Sequence, residues 1–287
     1  MTRYTELEIS SDVLDQPACA GEPKKLFICS TPRSGSYLLC RHMINAGLGV
    51  PHEYFNPVVI QQMAPRLGLA DQVQTLRWLP RGRRDRFMLR RAERDAEKAF
   101  LPRYISALRQ RRCQGGVFAA KIHFRDFVRV LDNPVGHKLL EDAHFVFLYR
   151  EDMLKQAVSE VFGQLTGRWG VDAAVTTEPA ANPDFFDTAA IGHALDELAD
   201  QERGWRVFLA RHGAVPLSMS YENLCQAPFD AVLQIADRLG IARDSLRQGY
   251  SETGLASASD PAWPSKAEIA RHYLASVRGT AGQRSGA

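Results

Sequence analysis

Lys25-Leu-Phe-Ile-Cys-Ser-Thr-Pro-Arg-Ser-Gly-Ser-Tyr-Leu-Leu39 is the stretch that decides the fold: an apolar run of strand length, a small polar turn containing glycine, then the start of a helix. Strand, turn and helix in this order make a phosphate cradle. Amides freed at the turn and at the helix N-terminus point at one spot, where the helix dipole favours an anion. Ser34, Gly35 and Ser36 are small enough to let that anion approach. A loop for ATP would need Gly-x-x-x-x-Gly-Lys-[Ser/Thr], with the Lys reaching the β- and γ-phosphates. No Lys follows Gly35, and Arg33 stands in the turn instead. The loop therefore points to a phosphate ligand other than ATP.

A second element fits the same ligand. His144-Phe-Val-Phe-Leu-Tyr-Arg150 reads as a strand ending in Arg, followed by helical patterning over Asp152 to Phe162 that carries Ser159. An Arg at a strand end and a Ser on the next helix can converge on one phosphate, the guanidinium offering a planar fork of donors. With its strand, Thr31-Pro-Arg-Ser-Gly-Ser36 resembles the 5′-phosphosulfate loop of sulfotransferases that use 3′-phosphoadenosine 5′-phosphosulfate (PAPS), and Arg150 with Ser159 resembles their 3′-phosphate site. Further matches follow in order: Pro51-His-Glu-Tyr-Phe55, Ala119-Ala-Lys-Ile-His123, Thr166-Gly-Arg-Trp169 and Tyr221-Glu-Asn-Leu224. Together they resemble the bacterial PAPS-dependent sulfotransferases of the trehalose 2-sulfotransferase-like family. The resemblance runs from about Leu26 to Leu224. Tyr37 departs from it, standing where many sulfotransferases carry Thr, and the C-terminal segment matches poorly.

The bulk properties are those of a soluble globular protein. The 287 residues are 45% hydrophobic and 24% charged, values of a globular protein that exclude disorder and membrane residence as classes. No run approaches a transmembrane span, and Thr2-Arg-Tyr-Thr-Glu-Leu-Glu8 lacks the basic and apolar regions of a signal peptide. A cytoplasmic protein is expected, where PAPS is made. Five cysteines, Cys19, Cys29, Cys40, Cys113 and Cys225, lack Cys-x-x-Cys spacing and read as reduced thiols. The net charge of +3 does not imply nucleic-acid binding, although Arg77 to Arg112 is densely basic. Arg81, Arg83, Arg84, Arg86, Arg90, Arg91 and Arg94 alternate there with Asp85, Glu93, Asp95 and Glu97, the pattern of a solvated face. An anionic acceptor, a membrane surface and nucleic acid are the other readings.

Strands at Leu26 to Ser30, Val117 to Ile122, His144 to Tyr149 and Val215 to Ser220 alternate with helical segments. The expected fold class is α/β: a P-loop-like three-layer fold with a mostly parallel central sheet flanked by helices, plus an inserted helical subregion. The insertion covers about 56–112, with breaks expected at Pro65, Pro80 and Pro102. Ala189 to His212 reads as a long amphipathic helix facing Leu195, Leu198, Trp205, Phe208 and Leu209 inward, and Phe229 to Leu239 as another. Residues 1–24 read as a mobile N-terminal arm, 25–287 as the sulfotransferase domain, and about 253–287 as a flexible tail.

Sulfuryl transfer needs an in-line acceptor oxygen, stabilised charge on the transferring group and a good leaving group, and requires no metal. An alcohol also needs a general base within hydrogen-bond reach. Glu53 is the candidate, in a turn that returns over the carboxyl edge of the sheet, where open α/β sheets hold ligands; the resemblance implies the same role. His52 and His123 are rival bases. Lys121 shares a strand face with His123 and could stabilise the leaving oxygen. The resemblance implies donor contacts at Arg33, Ser34, Gly35, Ser36, Tyr37, Arg150 and Ser159. Trp169 is read either as a core residue or as a stacking surface for adenine, and Tyr221 and Glu222 as structural. The expected reaction moves a sulfuryl group from PAPS to a hydroxyl of a carbohydrate, glycolipid or small-molecule acceptor, with no stable membrane insertion and, from the relatives, a homodimer. A nucleotide-dependent kinase on the same scaffold and a non-catalytic nucleotide-binding protein are the alternatives.

Overall fold

In a computed structural model, structure is described for residues 9–19, 21–71, 86–131, 134–167, 187–247 and 266–284, and the side chains described in the helices 86–111 and 266–284 are those of 98–111 and 267–278. A five-stranded sheet lies at the centre: β1 (Lys24–Ser30), β2 (Cys113–Gln114), β3 (Val117–His123), β4 (His144–Tyr149) and β5 (Leu217–Ser220), in the order β2-β3-β1-β4-β5. β1 pairs in parallel with β3 and β4, β4 pairs in parallel with β5, and β2 is antiparallel to β3. The short β2 was not expected. It forms a hairpin with β3 through Gly115 and Gly116, whose φ values of 59° and 73° suit the tight turns that match strand twist.

Strand alternation builds a core on each face of the sheet. Leu26 and Ile28 of β1, Val117 and Ala119 of β3 and Val146 and Leu148 of β4 turn to one side. There they meet Leu39, Cys40 and Met43 of α1 (Ser36–Ala46) and Val232, Ile235 and Ala236 of α9 (Pro228–Arg238). Phe27, Phe118, Ile122, Phe145 and Phe147 turn to the other side. They pack against α2 (Pro57–Arg66), α3 (Arg86–Arg111), α4 (Phe124–Leu131) and Trp205, Phe208 and Leu209 of α7 (Thr188–Arg211). Each large apolar side chain buried this way contributes roughly 1.5–3 kcal/mol. Helices α5 (Pro134–Leu140) and α8 (Tyr221–Gln226) are short connectors. A third cluster joins α6 (Met153–Thr166), the first half of α7 and α10 (Lys266–Arg284) through Val158, Phe162, Ile191, Leu198 and Ile269.

Three expectations need correction. Pro102 lies inside α3 rather than breaking it, whereas α2 does end at Arg66, one residue past Pro65, and Pro80 lies outside the described residues. In α3 the buried stripe Phe100, Leu101, Tyr104, Ile105 and Leu108 outweighs the hydrogen bond a proline forfeits. Residues 9–19 of the presumed mobile arm are docked: Ile9 and Leu14 are buried with Ile44 and Val50, and Arg112 binds the carbonyls of Ile9 and Ser11 at 2.9 and 2.7 Å and Asp15 at 2.9 Å. Residues 266–284 of the presumed flexible tail form α10. The side chains of Arg77 to Arg94 lie outside the described residues, whereas Arg112, counted with that basic face, is fully buried.

Candidate active site

The turn between β1 and α1 is held from both sides. Gln156 of α6 donates to Thr31 Oγ1 at 2.7 Å and to the Pro32 carbonyl at 2.6 Å. Trp205 of α7 donates its indole N–H to the Ser30 carbonyl at 3.0 Å. So clamped, the turn carries two left-handed residues, Arg33 (φ 60°) and Gly35 (φ 79°). A left-handed arginine costs strain that surrounding contacts must hold, and such strain clusters at functional sites. At Gly35 a Cβ would sit 2.3 Å from Tyr221 Cδ2, so the loop and that ring are in direct contact.

The cationic groups converge here. Arg33 donates from Nε to Ser159 Oγ at 3.1 Å, and Arg150 reaches the Arg33 carbonyl at 3.5 Å. The Arg150 guanidinium lies 4.6 Å above the Tyr221 ring, and its Nε is 3.9 Å from Glu222 Oε1. Ser34 Oγ is buried and makes no hydrogen bond among the described residues. Two arginines, two serine hydroxyls and the first amides of α1, which have no carbonyl behind them, can hold a phosphate-bearing anion. A buried hydroxyl in need of a partner and a glycine left no room for a side chain fit a ligand pressed against the turn. Arg33, Ser34, Gly35, Ser36, Arg150 and Ser159 are thus brought together as the sequence suggested. Trp169 lies outside the described residues.

A second group sits nearby at the carboxyl end of β3. Glu53, 12% exposed at its side chain, pairs through Oε1 with the buried Lys121 ammonium. His123 Nε2 lies 3.6 Å from the same oxygen. Asn56 caps α2 by accepting from the Val58 N–H at 2.9 Å and donates its amide to Glu53 Oε2 at 2.9 Å. The start of that helix therefore orients the carboxylate. Lys121 Nζ is 4.4 Å from the centre of the Tyr37 ring. His123 is kept neutral: burial first, then Lys121 and Arg125, pull it well below the usual imidazole value. His52 differs from its rival. Burial, with Arg112 and Lys121, lowers it to about 3, and both ring nitrogens are engaged, by Ser10 at 2.7 Å and Tyr37 at 3.2 Å. His52 is a structural group, not a base.

A family model described as Stf0 sulphotransferase matches residues 25–263, which include both groups of side chains. The chain belongs to this family. This member of the family is 30% identical over 96 residues to trehalose 2-sulfotransferase of Mycobacterium tuberculosis, a match spanning 33% of this chain and only 35% of that protein. A solved sulfotransferase domain from the olefin synthase of Synechococcus PCC 7002 aligns with a TM-score of 0.42 and 21% identity, over 89% of this chain and 90% of that one. Among the described residues, no helix is long and apolar enough to cross a membrane. Sequence reasoning missed Asn56, Gln156 and Ser10, and gave Tyr221 too little weight. Asn56-Pro57 was a readable helix start; the others make contacts between distant segments and carry no local signal.

Proposed function

We propose that this sulfotransferase takes PAPS as donor and a hydroxyl of a carbohydrate or glycolipid as acceptor, by in-line transfer with Glu53 as general base. The observation that carries the reading is the Glu53–Lys121 pair, with His123 beside it, at the sheet edge that also presents Arg33, Arg150 and Ser159. Arg150 and Ser159 hold the 3′-phosphate, while Arg33, Ser34, Gly35 and Ser36 hold the 5′-phosphosulfate. Lys121 meets the charge that develops on the leaving oxygen. Once Lys121 turns to that oxygen, Glu53 is released to take the acceptor proton. Neutral His123 offers a further hydrogen bond to the acceptor. Residues 25–287 act as one domain, to which the docked segment 9–19 adds.

Replacing Glu53 with Gln tests the base. The expected result is a loss of kcat on the order of 10²–10⁴-fold with the affinity for adenosine 3′,5′-bisphosphate retained. Unchanged turnover removes Glu53 from the chemistry. Arg150→Ala should weaken binding of that nucleotide, and calorimetry should show no comparable affinity for ATP with Mg²⁺. Tight ATP binding would favour a kinase.

A further inference from the structure

A chain of hydrogen bonds runs behind Lys121, and its direction is set at the far end. Gln62 Oε1 accepts from the Ser10 hydroxyl at 3.2 Å. A serine has one proton to give. With it committed to Gln62, Ser10 Oγ can only accept from His52 Nε2, 2.7 Å away. A neutral imidazole carries one N–H, so Nδ1 is the bare nitrogen and the Tyr37 hydroxyl donates to it across 3.2 Å. The Arg112 clamp on the carbonyls of Ile9 and Ser11 fixes Ser10 in place. At the near end, the His52 carbonyl accepts from the Lys121 backbone N–H at 3.0 Å, and the Tyr37 ring lies 4.4 Å from the Lys121 ammonium.

We infer that Gln62, Ser10, His52 and Tyr37 form a directional positioning device, in which the Tyr37 proton is given to His52 and its ring becomes the platform that holds Lys121. Tyr37 is then a positioning residue for the reaction and makes no hydroxyl contact to the donor phosphates, contrary to the role that the sequence suggested. A phenol that donates a hydrogen bond has a more electron-rich ring, which strengthens its attraction for an ammonium. The kinetic part rests on the role proposed for Lys121; the direction of the chain does not.

Nitrogen NMR of the His52 ring in the full chain tests the direction. The Nε2–H tautomer is expected, and the Nδ1–H tautomer overturns the proposal. Gln62 is exposed, so its replacement spares the core. Gln62→Glu, which can only accept, should keep the Nε2–H form. Gln62→Lys, which can only donate, should turn the Ser10 hydroxyl toward His52 and switch the tautomer; no switch counts against the device. Tyr37→Phe keeps the ring and should lower kcat about three- to tenfold, the worth of one hydrogen bond, with the Kd for adenosine 3′,5′-bisphosphate unchanged. A weakened Kd with kcat retained would assign the hydroxyl to the donor and overturn the proposal, as would no change in either. Absence of sulfuryl transfer in the wild type would fail the functional reading instead, leaving the tautomer to decide the device.

Discussion

Gly35 meets two demands at once: a φ of +79° and a ring where its Cβ would be. Replacing it with Ala should cost about 2–4 kcal/mol, the sum of left-handed strain and overpacking, read as a shift in urea midpoint with loss of nucleotide binding. A Gly35→Ala protein with wild-type midpoint would mean that Tyr221 can move aside. The buried imidazoles give a pH signature. Folded His52, at about 3, and folded His123, well below 6.5, refuse protons that the unfolded chain accepts. Stability is therefore fully present above about pH 6.5 and falls as the pH drops below it, by on the order of 1 kcal/mol per unit for each ring. Urea midpoints at pH 7 and pH 5.5 check this, and equal midpoints would contradict it. At this scale much of the clustering in the candidate site was legible. Arg33, Arg150 and Ser159 lie at motif spacings, Glu53 sits in the turn before α2, and Lys121 and His123 share one face toward the end of β3. The Ser10–His52 contact joins residues 42 apart, which no local pattern announces.

Among the elements, the strand–turn–helix opening and α7 were readable because their patterns repeat: α1 runs Ser36–Ala46, and four of the five inward residues assigned to α7 are buried. The hydrogen bond from Trp205 to the Ser30 carbonyl was not readable, since amphipathic spacing places a side chain but says nothing of its N–H. Trp205→Phe removes that buried donor and should destabilise the fold by about 1–3 kcal/mol. Because Ser30 leads into the cradle, nucleotide affinity should fall as well. Thermal unfolding and calorimetry measure the two effects; a loss of stability alone would separate α7 from the cradle. α3 shows the opposite failure, where proline was read as a break although its buried stripe carries the helix through Pro102.

For the whole molecule, the mostly parallel sheet followed from strands alternating with helices, while the strand order and the docking of residues 9–19 did not. A polar segment bounded by Gly21 and Pro23 looks mobile until its partner is known, and that partner is an arginine more than 100 residues away. Deleting residues 1–15 would strand the Arg112 guanidinium in the core without Ile9, Ser11 or Asp15. The expected loss is about 3–5 kcal/mol, and Arg112→Met in the shortened chain should recover part of it. Denaturant titration of both proteins decides; no loss on deletion would make the clamp incidental. The outer strands carry a different consequence. Among the described residues the sheet is bordered on one side by a four-residue strand and on the other by a two-residue strand, beyond which the Lys121 N–H of β3 is taken by the His52 carbonyl. Open backbone groups along a long border recruit strands from other molecules into aggregates. Borders this brief offer a neighbouring copy only a handful of pairings, so at high concentration the fold resists growth by strand addition.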